Sequence, residues 1–451
     1  MLSGSASAAL SHVYARAEAT FDDAAKHAKA FSTGRRNYVR QFNELYYARL
    51  NELKPHVLEH AEKRWAAQNI KLTHKVLNVE PGERTYIVGT VFIDSAAKPS
   101  TLTQVESEHW ISDPRVPGGY RGDGEAVHLE DESGRIRLVG GLVDRSVLVS
   151  GLVAAMAGME TPSGCFEVVD VCYAGMPPLP PQPAPPPDAC VAFVSGLRAS
   201  PASPVTLEMQ LLAEFLTGAV APPLAAQIVQ VVVAGDIMCL PPPPLGHSED
   251  ARANDRSAAA PLVAAVDAYL ADIAAAVPLA LMPGALDPTD SSLPQQPINP
   301  GLFAQCRQYS GFRSLSNPAL LEVAGCLLLG SAGQNVDDIA RYVAPEDRDA
   351  HAPSPCELAA LSLQWRHIAP SAPDTLWCYP FSDRDPFILT HSPHVYFFGN
   401  QARADQATAR APGGQQTAVV AVPTFALTHT IVLLNLRTMQ CSTMQFAAPD
   451  L

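Results

Sequence analysis

The chain contains no Cys-x-x-Cys pair, no Walker A or dinucleotide glycine pattern and no Gly-x-Ser-x-Gly elbow. The first absence excludes a zinc ribbon, and nine cysteines, an odd number, do not form a closed disulfide framework. The thiols therefore read as reduced and mostly buried, in the cytosol or nucleus. Without the glycine patterns nucleotide binding has no support, and without the elbow Ser195 has no assignable His or acid to make it a nucleophile. No uncharged apolar run reaches the roughly 18 residues that a membrane span needs. The opening Met1-Leu2-Ser3-Gly4-Ser5 lacks a charged region followed by an apolar core, so a soluble intracellular protein is expected. Positive charge is also scarce. With 31 Lys and Arg against 45 Asp and Glu the formal charge is −14, which repels phosphate and argues against a large duplex-DNA footprint. A protein partner is the better expectation.

What is present is enough for two or three folded domains: 451 residues, 47% of them apolar. Residues 1–37 are rich in Ala and Ser with scattered basic residues and read as a flexible arm, a basic helical contact arm being the alternative. From Tyr38 to Ala66 the residues Phe42, Leu45, Tyr46, Leu50, Leu53, Val57 and Leu58 recur at helical spacing, and Pro55 is expected to break that helix in two. His56 and His60 stand four apart, but with no third ligand nearby they read as a solvated face rather than a metal site.

Past Gly82 the period becomes that of strands. Thr85–Phe92, Ala126–Glu130, Gly134–Gly140, Ser146–Ala155 and Phe166–Val171 are short β-rich runs between turn residues, and five of them in about 90 residues suit a small closed barrel of the OB type. Such barrels often grip single strands with aromatics and basic residues. Here Glu130-Asp131-Glu132 lies in the middle, so protein docking is the favoured role. The Arg121-Gly122-Asp123 tripeptide reads as a loop.

The proline run at 177–187 is the clearest boundary, an extended spacer of about 3 Å per residue, with an SH3-type ligand as the alternative. Beyond it apolar strands alternate with helices: Ala189–Val194, a helix at Leu207–Leu216, Ile228–Val233, a helix at Pro261–Ala276, then Val277–Met282. Continuous apolar runs suit strands buried on both faces, and the alternation predicts a layered α/β sheet. Later come Ala324–Gly330, a helix near Asp337–Tyr342, and the strands His394–Asn400, Thr417–Val422 and Thr430–Leu436.

The turn Pro283-Gly284-Ala285-Leu286-Asp287 resembles the metal-binding turn of calcineurin-like metallophosphoesterases with its Asn and His replaced by Ala285 and Leu286. Together with Leu293-Pro294-Gln295-Gln296-Pro297, Val88-Gly89-Thr90-Val91-Phe92, Leu129-Glu130-Asp131-Glu132, Arg366-His367-Ile368-Ala369-Pro370 and Pro393-His394-Val395-Tyr396-Phe397, it is similar to the DNA polymerase alpha/delta/epsilon B-subunit family, in its delta branch. The matches cover nearly everything beyond residue 38. The resemblance implies α/β and β architecture: a helix plus an OB-fold barrel over 38–176, a linker at 177–187, and a calcineurin-like phosphodiesterase domain lacking metal ligands over 188–451. It departs from the family in the proline run and in Ala-rich loops near 250–275 and 401–414.

Active relatives of that fold clamp phosphate between two cations about 4 Å apart, held by carboxylates, imidazoles and amides at strand ends. In the corresponding places here Ser195 is followed by Gly196 and Arg198, Asp236 is followed by Cys239, Asp287 survives alone, and Asn400 has lost its neighbouring imidazoles. The pocket is read as vestigial, without catalytic residues, metal or cofactor, with Arg198 expected near the two carboxylates to offset their charge. Asp236 and Asp287 equally suit turn caps.

The resemblance further implies a nuclear, non-catalytic subunit. It would bridge the cysteine-rich C-terminal domain of the polymerase delta catalytic subunit and a clamp-binding accessory subunit, touching DNA and the sliding clamp only indirectly. Service to the zeta polymerase stays open. The alternatives from other classes are an active phosphoesterase and a free-standing single-strand binder.

Overall fold

The computed structural model describes residues 15–16, 20–22, 29–37, 39–68, 70–98, 119–121, 125–182, 188–240, 249–343 and 352–447. Where the N-terminal arm is described it is docked rather than frayed. Arg16 donates to the carbonyls of Leu216, Ala225 and Ile228, β1 (Phe21–Asp22) pairs with residues 322–323, and Phe31 is buried.

In α1 (Asn43–Trp65) the buried stripe is Leu45, Arg49, Leu53, Val57, Ala61 and Trp65, one residue every fourth position. That stripe continues on both sides of Pro55, so the helix runs through the proline without the expected break. Tertiary packing along 23 residues outweighs the roughly 3 kcal/mol that an interior proline costs.

The first sheet contains β2 (Lys71–Leu72), β3 (Thr85–Asp94), β4 (Ala126–Glu130), β5 (Arg135–Val139), β6 (Val153–Glu160) and β7 (Cys165–Tyr173). Pairing runs β3-β4-β5-β7-β6, and β6 pairs back onto β3, so each of these five strands is bonded on both sides. One expected strand is corrected. The run Ser146–Ala155 is not extended throughout: a short helix α2 (Gly141–Arg145) and a turn precede β6, which starts only at Val153. The turn is fixed at Gly151, whose φ is +85° and where a Cβ would sit 2.1 Å from the Pro370 carbonyl. An apolar run signals burial, and Leu148 and Val149 are buried without being in a ladder.

After residue 188 the chain passes through β8 (Cys190–Val194), α3 (Leu207–Thr217), α4 (Pro222–Ala225), β9 (Ile228–Ala234), α5 (Glu249–Ala274), β10 (Leu279–Met282) and β11 (Phe312–Ser314). It continues with β12 (Ala319–Val323), β13 (Cys326–Ser331), α6 (Gln334–Ala340), α7 (Pro355–Gln364), β14 (Val395–Gln401) and β15 (Asp405–Arg410). β16 (Gln416–Pro423), α8 (Phe425–Thr428), β17 (Thr430–Asn435) and β18 (Cys441–Gln445) complete it. These strands form two six-stranded sheets, β11-β10-β9-β8-β17-β18 and β1-β12-β13-β14-β16-β15. They share one apolar core, in which Phe193 of β8 meets Phe397 of β14 with ring centroids 4.5 Å apart. α3 and α5 cover the other face of the first of these sheets. Of the two Ala-rich stretches near 250–275 and 401–414, the first lies in α5, as the helix expected at Pro261–Ala276 implies, alanine being a strong helix former, while residues 405–410 of the second are corrected from loop to the edge strand β15.

A second core cluster crosses the sequence boundary, joining Val91, Leu129 and Phe166 to Trp365, Tyr396 and Val419. The described start of the proline run lies against the α/β part: Ser392 bonds the carbonyls of Pro177 and Pro178, and His394 Nε2 lies 3.1 Å from that of Pro180. Residues 183–187 lie outside the described residues.

Candidate functional site

The parallel strands β8, β9 and β10 end side by side, which is where α/β folds collect loops that can carry chemistry. Ser195 leaves β8 fully buried. Its Oγ lies 2.9 Å from the Pro423 carbonyl and accepts the Asn400 N–H at 2.9 Å. Gly196 has φ +62°, and a Cβ there would stand 2.7 Å from Asn400 Oδ1. Asn400 itself has φ +58° and donates through Nδ2 to Ala332 O. The Arg198 N–H donates to Asp236 O, and its Nη2 lies 3.6 Å from Asp236 Oδ2.

The two carboxylates are engaged with the backbone. Asp287 Oδ1 accepts the N–H groups of Ile237 and Met238 at 2.9 and 3.0 Å, and its Oδ2 accepts that of Gly284 at 2.8 Å. Asp236 Oδ1 accepts the Leu286 N–H at 3.1 Å. The approach is so close that a Cβ on Gly284 would fall 2.3 Å from both Asp236 N and Asp236 Oδ1, which is the physical reason for glycine there. Burial raises both carboxyls above the ordinary range. Asp287 is pushed up to about 7 by burial against the opposing pull of its amide bonds, with the Asp236 charge adding to the rise. For Asp236 the Leu286 amide and Arg198 offset part of the rise.

This donor set does not fit a two-cation centre. Asp287 already spends both oxygens on three amides, a guanidinium stands beside Asp236, and Ala285 and Leu286 reach the surface with nothing to donate to a metal. Among the described residues no group of three or more His, Cys, Asp and Glu can hold a metal ion. Of the sequence-derived positions, Ser195, Gly196, Arg198, Asp236, Asp287 and Asn400 are linked by the contacts above. Cys239 lies next in the chain to Met238, and its N–H donates to Ala199 O beside Arg198. Sequence reasoning missed Asp337, whose carboxylate accepts from Gln401 Nε2 at 3.1 Å.

It also missed the polar centre that joins the first sheet to the α/β part. Arg49, fully buried, donates through Nε to Asp385 Oδ2 at 2.7 Å and through its other nitrogens to the carbonyls of Gly151, Pro370 and Ala372. His367 Nε2 lies 2.9 Å from the same carboxylate oxygen, and its Nδ1 accepts the Ala369 N–H, which fixes a neutral ring with the proton on Nε2. Burial alone would raise the Asp385 carboxyl, but Arg49 and then His367 hold it well below the usual range. The signal was present: Arg49 occupies a core position between Leu45 and Leu53 on one helix face. A second junction places Tyr120 on Tyr342 and bonds Tyr120 Oη and Thr375 Oγ1 to Asp338.

Comparison with known proteins adds two family models. One described as DNA polymerase delta subunit OB-fold domain matches residues 41–171, and one describing the B subunits of DNA polymerases alpha and epsilon matches residues 191–406. The DNA polymerase delta small subunit of Arabidopsis thaliana is 36% identical over 413 residues, covering 90% of this chain and 91% of the relative. That of Saccharomyces cerevisiae is 30% identical over 452 residues, covering 91% and 90%. DNA polymerase delta subunit 2 of Drosophila melanogaster is 31% identical over 417 residues, covering 91% and 94%. With that identity sustained across nine tenths of each partner in the comparison, the chain belongs to the DNA polymerase delta small-subunit family.

Proposed function

We infer that the chain is a non-catalytic accessory subunit of DNA polymerase delta, working in the nucleus as a scaffold in DNA replication and repair. Its first partner is the catalytic subunit, gripped through that subunit's cysteine-rich C-terminal domain. A clamp-binding accessory subunit is the second, with DNA and the sliding clamp reached only through these chains. In this reading residues 38–176 form a helix plus an OB-fold barrel used for protein docking. Residues 188–451 form a phosphodiesterase-like domain whose pocket at Ser195, Gly196, Arg198, Asp236, Cys239, Asp287 and Asn400 is vestigial.

The sustained likeness to small subunits from plant, yeast and fly carries the reading. The engagement of Asp287 with three backbone amides supports the structural role of the pocket. Co-expression with the polymerase delta catalytic subunit tests it: the two chains are expected to purify together at fixed stoichiometry, without hydrolysis of a chromogenic phosphodiester in manganese. Failure to associate, together with steeply salt-dependent oligonucleotide binding by the isolated chain, would favour a free-standing single-strand binder instead.

A further inference from the structure

A sheet edge is a row of open backbone groups, and chains close such edges with charge, proline or a covering segment. β12 has a single charge, Glu322, and no proline, while its Leu321 and Val323 are buried, so its own sequence guards it weakly. What covers it is the N-terminal arm. β1 pairs Phe21 with Val323 and Asp22 with Glu322, and the Ala324 N–H donates to Thr20 O at 2.9 Å. A strand of two residues holds little by itself. The arm, however, is pinned on both sides of it. Before it, the half-buried Arg16 donates to the carbonyls of Leu216 in the last turn of α3, of Ala225 at the end of α4 and of Ile228 at the start of β9. These three acceptors are all backbone carbonyls, and the fork of a guanidinium reaches all three where a single amine does not. After it, Phe31 is buried in the core cluster shared with the first sheet, and its carbonyl accepts from Gln296 Nε2 at 3.0 Å. Arg384 Nη2 donates to the carbonyls of Lys29 and Ser32 at 3.1 and 3.2 Å, and the Asn37 N–H donates to Tyr379 Oη at 2.7 Å. α3, α4 and β9 belong to the sheet that contains β8 and β10 and to its helices, whereas β12 belongs to the other six-stranded sheet. Between Arg16 and Phe21 the arm therefore passes from one layer to the other.

We propose that the arm is a strap, latched at Arg16 and at Phe31, that keeps the outer edge of β12 closed to other strands. Both latches stand on elements other than the strand they protect, so release at Arg16 uncovers an edge in the opposite sheet. Opening breaks only the latch bonds and a two-residue ladder, and it is therefore a local event, well below the free energy of unfolding the whole chain. Once uncovered, β12 offers a short apolar edge to the same edge of a second copy of this chain, as unguarded edges do.

The test is native-state hydrogen exchange on the full chain, read by mass spectrometry at residues 319–324 and, as a control inside the same sheet, at residues 395–401 of β14. Arg16→Met removes the guanidinium that holds three carbonyls and is expected to speed exchange at 319–324 about tenfold or more, with 395–401 unchanged. Phe31→Ala loosens the other latch and is expected to act in the same direction, severalfold. If Arg16→Met does not fold, Arg16→Lys takes its place, with the same sign and a smaller effect. The double variant Arg16→Met/Phe31→Ala is expected to self-associate with rising concentration in light scattering, under conditions where the wild-type chain does so less. Unchanged exchange at 319–324 in the Arg16 variants overturns the latch. A rise of equal size at 395–401, or failure of both Arg16 variants to fold, overturns the strap, because the arm is then part of the cooperative core. Faster exchange at the edge in a double variant that associates no more than wild type overturns the guarding role and leaves the latch.

Discussion

Asp287 and Asp385 are both buried carboxylates, and the molecule treats them in opposite ways. Asp287 has amides and another acid around it, and its pKa rises to about 7. Asp385 has the Arg49 guanidinium and His367, and its pKa falls. Burial is common to both, so the neighbouring charge decides the sign. The first carboxyl closes the turn after β10 and is held there by three backbone amides. The second sits where the first sheet meets the α/β part, fully buried, and it keeps a full counter-charge in Arg49.

The largest effect that would break this contrast is at the seam. Arg49→Met leaves Asp385 buried without a cation and three carbonyls without a donor, so urea unfolding is expected to show a loss of about 3–5 kcal/mol. Next comes Asp287→Ala, which strips three N–H groups of their acceptor; a loss of about 2–3 kcal/mol is expected in the same measurement.

The pH dependence separates the two carboxyls by sign. Asp287 has a folded pKa above its unfolded value, so its contribution to stability is fully present below about pH 4 and is lost as pH rises through about 7. Asp385 has a depressed folded pKa, so its contribution is present above about pH 4 and is lost as pH falls through the folded value. Unfolding measured from pH 3 to 8 should therefore show a flatter decline toward neutral pH in Asp287→Ala, and a steeper acid limb in wild type than in Arg49→Met. The smallest effect is at Arg198→Ala. Its side chain is about a third exposed and lies 3.6 Å from Asp236, so a change below about 0.5 kcal/mol is expected, with the Asp236 carboxyl moving further up.

The same contrast explains what was legible in the sequence. The strands β8, β9 and β10 were visible because a strand buried on both faces is apolar throughout, and Asp236 and Asp287 were visible because they close such runs at a Gly-Asp and a Pro-Gly turn. The joining of Arg49, Gly151, Pro370 and Asp385 was not, since its members lie up to 336 residues apart and no local pattern links them. Pro55 misled because local propensity says nothing of the stripe packed on either side of it. β15 was hidden because its sequence Asp405-Gln406-Ala407-Thr408-Ala409-Arg410 lacks the apolar run of an inner strand, as an edge strand's often does.

The most direct measurement is a paired thermal melt of the wild-type chain and Asp287→Ala, each with and without millimolar manganese, alongside hydrolysis of a chromogenic phosphodiester. If the pocket carboxylates act only on their own backbone, manganese leaves both melting temperatures where they were, Asp287→Ala melts lower by the same margin in either condition, and neither protein turns over substrate. A manganese-dependent rise in the wild-type melt that Asp287→Ala abolishes, accompanied by turnover, would contradict it.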